Sequence, residues 1–129
     1  MLVMVLHEYR LFQLARAHEQ PHRGLSKGAL LDGVLIEKCH TLEAILETLT
    51  SRLPDMCRQD HVSFLCIDSI GGLARNEFNV TERNQIFERT ALLFKLSQRL
   101  KWLSDTFGVC IVVVNQVCTC DVICFEVPW

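Results

Sequence analysis

Two short polar stretches stand where chemistry is most easily built. Asp68-Ser69 follows the apolar run Val62-Ser63-Phe64-Leu65-Cys66-Ile67, and Asn115-Gln116 follows the run 109–114. A carboxylate at the end of a buried strand is held firmly enough to grip the water shell of a Mg²⁺ ion bound to nucleotide phosphates. A hydroxyl beside it, Ser69, can hydrogen-bond at the same place. A neutral amide after a second strand can reach a terminal phosphate or an attacking water and pass that contact to the following loop. Each feature alone has a plain structural counterpart. Asp often ends a strand as a turn cap, and Asn and Gln often satisfy turn backbone groups. Together, one long helix apart, they are more specific than either alone.

The elements that must position them follow from periodicity. Residues 9–17 suit a short helix, with Leu11, Leu14 and Ala15 at helical spacing. Residues 18–33, with Pro21, Gly24, Gly28, Gly33 and polar residues, read as a long surface connection with one helical turn near 29–31. Residues 34–36 make a brief strand. Leu42, Ile45, Leu46, Leu49 and Leu53 mark one face of an amphipathic helix, with Thr41 as N-cap, Glu43 at the positive end of the dipole and Pro54 ending it. The runs 62–68 and 109–114 read as strands buried on both faces. Between them lie a loop at 71–78, an Asx capping box at Asn79 and Glu82, and a long helix. Its buried stripe would be Ile86, Leu93, Leu96, Leu100, Leu103 and Phe107, closed by Gly108.

Strands joined by helical crossovers make an α/β fold with a parallel sheet, and such sheets bind ligands beyond the carboxyl ends of their strands. Asp68 and Asn115-Gln116 therefore belong at one end of one sheet.

Composition narrows the class without choosing it. Of 129 residues, half are hydrophobic and 22% charged, which is the balance of a globular domain. The formal net charge of -2 gives no general attraction to nucleic acid or anionic membrane, so any DNA contact must be local. The apolar start 1–6 lacks the length and cleavage site of a secretory signal, and the run 109–114 is too short to span a bilayer. The expectation is an intracellular chain, most of whose seven cysteines are free thiols rather than a disulfide framework.

The segments Phe64-Leu65-Cys66-Ile67-Asp68-Ser69-Ile70, Arg75-Asn76-Glu77-Phe78, the long helix, and Phe107-Gly108-Val109 through Val114-Asn115-Gln116-Val117 resemble the ATPase core of RecA and the eukaryotic recombinases. Upstream, Arg10-Leu11-Phe12-Gln13-Leu14 and Leu35-Ile36-Glu37 are similar to the recombinase-paralogue branch. The likeness covers roughly residues 9–117. It implies a partial RecA-like P-loop ATPase core over residues 1–117, followed by a divergent, irregular tail at 118–129. It further implies a homologous-recombination DNA repair factor that uses ATP and Mg²⁺. Such a factor would pair with a recombinase paralogue, bind DNA, lie off the membrane, and reside in the nucleus and also in the cytoplasm. By matching position, Asp68 is the Walker B acid and reaches Mg²⁺ through water. Ser69 and Asn115 accompany it at the nucleotide, Gln116 is the phosphate-sensing catalytic amide, and Arg75 lies in the first DNA-facing loop. An ordinary solvated arginine is the plain alternative for Arg75.

The departures bear on activity. The phosphate loop G-x-x-x-x-G-K-[ST] is not in the sequence, and Gly24, Lys27 and Gly28 lack its spacing. Glu8 stands where the family's catalytic glutamate is expected, but its neighbours do not match. After Val117 the second DNA-facing loop gives way to Cys118-Thr119-Cys120-Asp121-Val122-Ile123-Cys124. The expectation is a product of truncation or alternative splicing at both ends, with DNA binding weak for the chain alone and ATPase activity left open. The alternative is a catalytically inert interaction module that docks on a recombinase paralogue. Zinc at Cys118, Cys120 and Cys124 lacks a paired C-x-x-C set, and nothing fixes the geometry of His18, Glu19 and His22 as a metal site.

Overall fold

The computed structural model describes residues 2–4, 8–19, 23–24, 26–59, 62–79 and 81–115. Four strands form one sheet in the order β2-β1-β3-β4: β1 (Leu2–Met4), β2 (Leu35–Ile36), β3 (Phe64–Asp68) and β4 (Cys110–Val114). Every neighbouring pair is parallel. Parallel neighbours need crossovers, and the helices supply them. These are α1 (Glu8–Ala17), α2 (Lys27–Asp32), α3 (Leu42–Glu47), α4 (Leu53–Gln59), α5 (Ile70–Glu77) and α6 (Arg83–Phe107). The α/β parallel sheet expected from the sequence is the fold observed.

Four local expectations are corrected. Residues 2–4, given no element above, form a strand between β2 and β3. The connection 18–33 contains a longer helix than one turn, α2, whose N-cap Ser26 accepts a hydrogen bond from the Ala29 N–H at 3.1 Å. The loop expected at 71–78 is largely helix, α5. Asn79 does not cap α6. Its Oδ1 accepts from the Thr81 N–H at 3.1 Å, and the Gln85 side chain, not Glu82, returns to the Asn79 N–H at 2.6 Å.

Pro54 does not end its helix either. The chain passes from α3 through a π-helical turn, Thr48–Arg52, straight into α4. Proline has no N–H, so the Thr50 carbonyl loses its usual donor. In the wide turn the Leu53 N–H reaches back five residues to the Thr48 carbonyl, which leaves the Leu49 carbonyl without its usual donor too. Arg99 of α6 meets both: Nε donates to Leu49 O at 3.1 Å and Nη2 to Thr50 O at 3.0 Å. The guanidinium also stacks over Trp102, 3.8 Å from the ring centre. One side chain thus repairs the kink and ties it to α6.

The core lies on this side of the sheet. Leu42, Ile45, Leu49 and Leu53 pack with Leu65 and Ile67 of β3 and with Leu96 and Leu103 of α6, all essentially fully buried. The stripe expected on α6 is right at Leu96 and Leu103. Leu93, Leu100 and Phe107 are half-buried, and Ile86 is exposed. Gly108 adopts the left-handed conformation at φ 69° and closes the helix with its N–H on Ser104 O at 2.9 Å.

β4 departs most from expectation. Val109 just before it is buried, but Val112, Val113 and Val114 are exposed at 40%, 41% and 36%. Among the described residues β4 has a strand neighbour on one side only. Strong hydrophobicity marked the strand correctly and misjudged how far it is covered.

Candidate functional site

The parallel pairing of β3 with β4 decides the site's geometry. Asp68 is in register with Val114, so the ends carrying Asp68 and Asn115 lie side by side at the carboxyl edge. Asp68 is half-buried as the last residue of β3, and Ser69 after it is buried. Their peptide bond is cis. Ser69 stands at the N-cap of α5 without capping it. Its hydroxyl lies against Gly72, 3.2 Å from where a Cβ would stand.

The two glycines explain how α5 starts so close to the strand ends. A Cβ on buried Gly71 would collide with Asn115 Oδ1 and lie 3.1 Å from Asn115 Cγ. The Asn115 carboxamide is therefore seated on bare backbone in the first turn of α5. Arg75, one turn further along, lays its Nη1 3.4 Å from the same point. Arg75 is exposed in the last turn of α5, with its guanidinium directed back towards the strand ends. The sequence marked Gly71-Gly72 as loop residues. Their role as a place for another side chain to approach becomes visible only with the register known.

With this parallel edge in place, the chain can be set beside known proteins. The profile of the Rad51 family, described as Rad51, matches residues 6–124. The chain belongs to the Rad51 family. It is 28% identical over 112 residues to the mouse DNA repair protein RAD51 homolog 2, covering 85% of this chain and 32% of that protein. It is 29% identical over 90 residues to the Arabidopsis thaliana DNA repair protein XRCC3 homolog, covering 67% and 29%. It is 31% identical over 94 residues to the Mycosarcoma maydis DNA repair protein RAD51, covering 73% and 27%. The chain spans about a third or less of the length of these relatives. Two of the three are paralogue-type proteins, in keeping with the branch the upstream residues suggested.

Within this Rad51-family edge, Asp68, Ser69, Asn115 and Arg75 come together, while Gln116 and the tail 118–129 lie outside the described residues. β1 ends at the same sheet edge, because Met4 is in register with Ile67. The signal for it was present as the apolar run 2–6 bounded by His7-Glu8.

Glu77 was missed as a structural anchor. Both of its carboxylate oxygens accept the Leu42 N–H, at 2.9 and 3.1 Å, so the end of α5 caps the start of α3. Burial pushes its pKa up; the Leu42 hydrogen bond opposes this, and nearby Glu43 adds to it. Burial also pushes up the Cys66 thiol, with Asp68 adding to the shift, so the thiol two residues before the carboxylate stays neutral. Among the described residues no group of three His, Cys, Asp or Glu side chains is placed to hold a metal directly. A carboxylate acting on Mg²⁺ through water and phosphate oxygens needs no such group. No described helix is long and apolar enough to cross a membrane.

Proposed function

We propose that this chain serves homologous-recombination DNA repair as a recombinase-paralogue component, with its strand-end edge facing a nucleotide. The observation that supports this best is the convergence of Asp68 and Asn115 at one carboxyl edge, beside a helix that carries Arg75. In this reading Asp68 orients the water shell of Mg²⁺ and Ser69 offers a hydroxyl beside it. Asn115 stands at the adjoining strand end, and Gln116 after it senses the phosphate. ATP with Mg²⁺ is the nucleotide, DNA the polymer, a recombinase paralogue the protein partner, and the nucleus the principal location, with the cytoplasm as a second. Residues 1–117 form the working core and 118–129 a divergent tail. The chain by itself is not an efficient ATPase. Phosphoryl transfer depends on a preorganised cradle for the phosphates, and no lysine-bearing phosphate loop occurs in this sequence.

A second reading, an inert module docking on a paralogue, is favoured by the exposed valines of β4, which leave apolar strand surface uncovered.

The DNA reading is tested by titrating a labelled single strand at low and moderate salt. Binding should be weak, fall steeply with salt, and weaken about threefold further in Arg75→Ala, as expected when one phosphate contact is lost. Tight binding that survives moderate salt, or binding indifferent to Arg75, contradicts it.

A further inference from the structure

The roles proposed above leave unexplained why the first turn of α5, which starts at Ile70, carries Gly71, a residue type that weakens a helix. We propose that Asn115 is a positioning residue: its carboxamide, seated on the bare Cα of Gly71, braces the first turn of α5 against the end of β4 and thereby sets the place of Arg75. Three observations carry this. Gly71 is buried, and a Cβ there has no room because Asn115 Oδ1 occupies the space. Arg75 Nη1 lies over the same spot, one helical turn along. The start of α5 and the end of β4 also run close to one another, so the brace lies where the two elements approach. A rigid element held at one end by Asn115 and at the other by Glu77 on Leu42 has little freedom to shift. Whatever moves the end of β4 must then move Arg75 with it. The coupling to a polyanion rests on the proposed DNA reading, whereas the brace itself does not.

A double-mutant cycle on the full chain separates the two. Gly71→Ala should lower the melting temperature by roughly 5 °C, because the new methyl evicts the carboxamide. In an Asn115→Ala background the space is vacant, and the same Gly71→Ala change should be neutral or raise the melting temperature, since alanine favours helix over glycine. If Gly71→Ala alone does not fold, recovery of a cooperative transition in the double variant supports the brace equally. Equal losses in both backgrounds overturn it. Amide exchange over residues 70–77 gives an independent reading. Exchange should quicken in Asn115→Ala, and unchanged exchange there also overturns the brace. Single-strand binding at low salt completes the test. If Arg75→Ala weakens binding but Asn115→Ala does not, the coupling falls and the DNA reading stands. If the cycle is non-additive but Arg75→Ala binds normally, the brace stands and the DNA reading falls.

Discussion

The two sides of β3 contrast within a few ångströms. Towards α3, the π-helical turn, α4 and α6, Leu65 and Ile67 are sealed, and the orphaned carbonyls of the kink find a guanidinium. Along β4, three consecutive valines stand exposed. Similar residue types therefore do different work in adjacent strands. The sealed side holds the strands in register, and the register brings the polar strand ends together. β4, in register with β3 along its whole length, carries Asn115 to that edge while its valines leave apolar surface for contact with other molecules.

The largest effect that would sharpen this contrast is in the sealed layer. Leu65→Ala should destabilise the chain by about 3 kcal/mol, the transfer and cavity cost of a fully buried leucine. Val112→Thr on the neighbouring strand should cost within about 0.5 kcal/mol, as exposed substitutions do. Urea unfolding of both variants checks the pair, and comparable losses would mean that β4 is covered in solution.

Next comes the kink. Arg99→Ala removes donors from two carbonyls that Pro54 and the π-helical turn leave unpaired, and should cost about 2 kcal/mol by the same measurement. If the variant is as stable as the parent, water serves those carbonyls as well and the tie between α6 and the kink is incidental.

Much of this layer was legible in sequence. The spacing of Leu42, Ile45, Leu49 and Leu53 gave a helical face, Gly108 gave a helix end, and the two apolar runs gave β3 and β4. Pro54 was misleading because a local rule about proline cannot foresee an arginine forty-five residues away that accommodates it. The helix at 70–77 was hidden by its glycines, which leave room for Asn115 across the sheet edge at Gly71 and for the Ser69 hydroxyl at Gly72. Covering β4 depends on which elements pack over it, and hydrophobicity along one strand carries no such information. At the site, Asp68 and Asn115 were found from strand ends alone, whereas Glu77 looked like any surface acid until its hydrogen bonds to Leu42 were seen.

A smaller effect concerns that anchor. Folding raises the pKa of Glu77, so the folded chain holds its proton more strongly than the unfolded chain does. The associated stability is present below the unfolded value and is lost as pH rises through the raised one. Relative to Glu77→Gln, the parent's melting temperature should therefore fall as pH goes from about 4 to about 7. A difference that grows in the parent's favour would show that the Leu42 hydrogen bonds outweigh burial.

The strand-end edge is tested most directly by phosphate release from Mg-ATP by the purified chain, beside Asp68→Asn. That edge supplies the Asp68 carboxylate and the Asn115 amide, and this sequence contains no phosphate loop. Loss of even one preorganised donor commonly lowers a rate by about a hundredfold or more. No release above the protein-free rate is expected from either polypeptide. Turnover by the parent that Asp68→Asn abolishes would contradict that expectation and require another phosphate cradle in this chain.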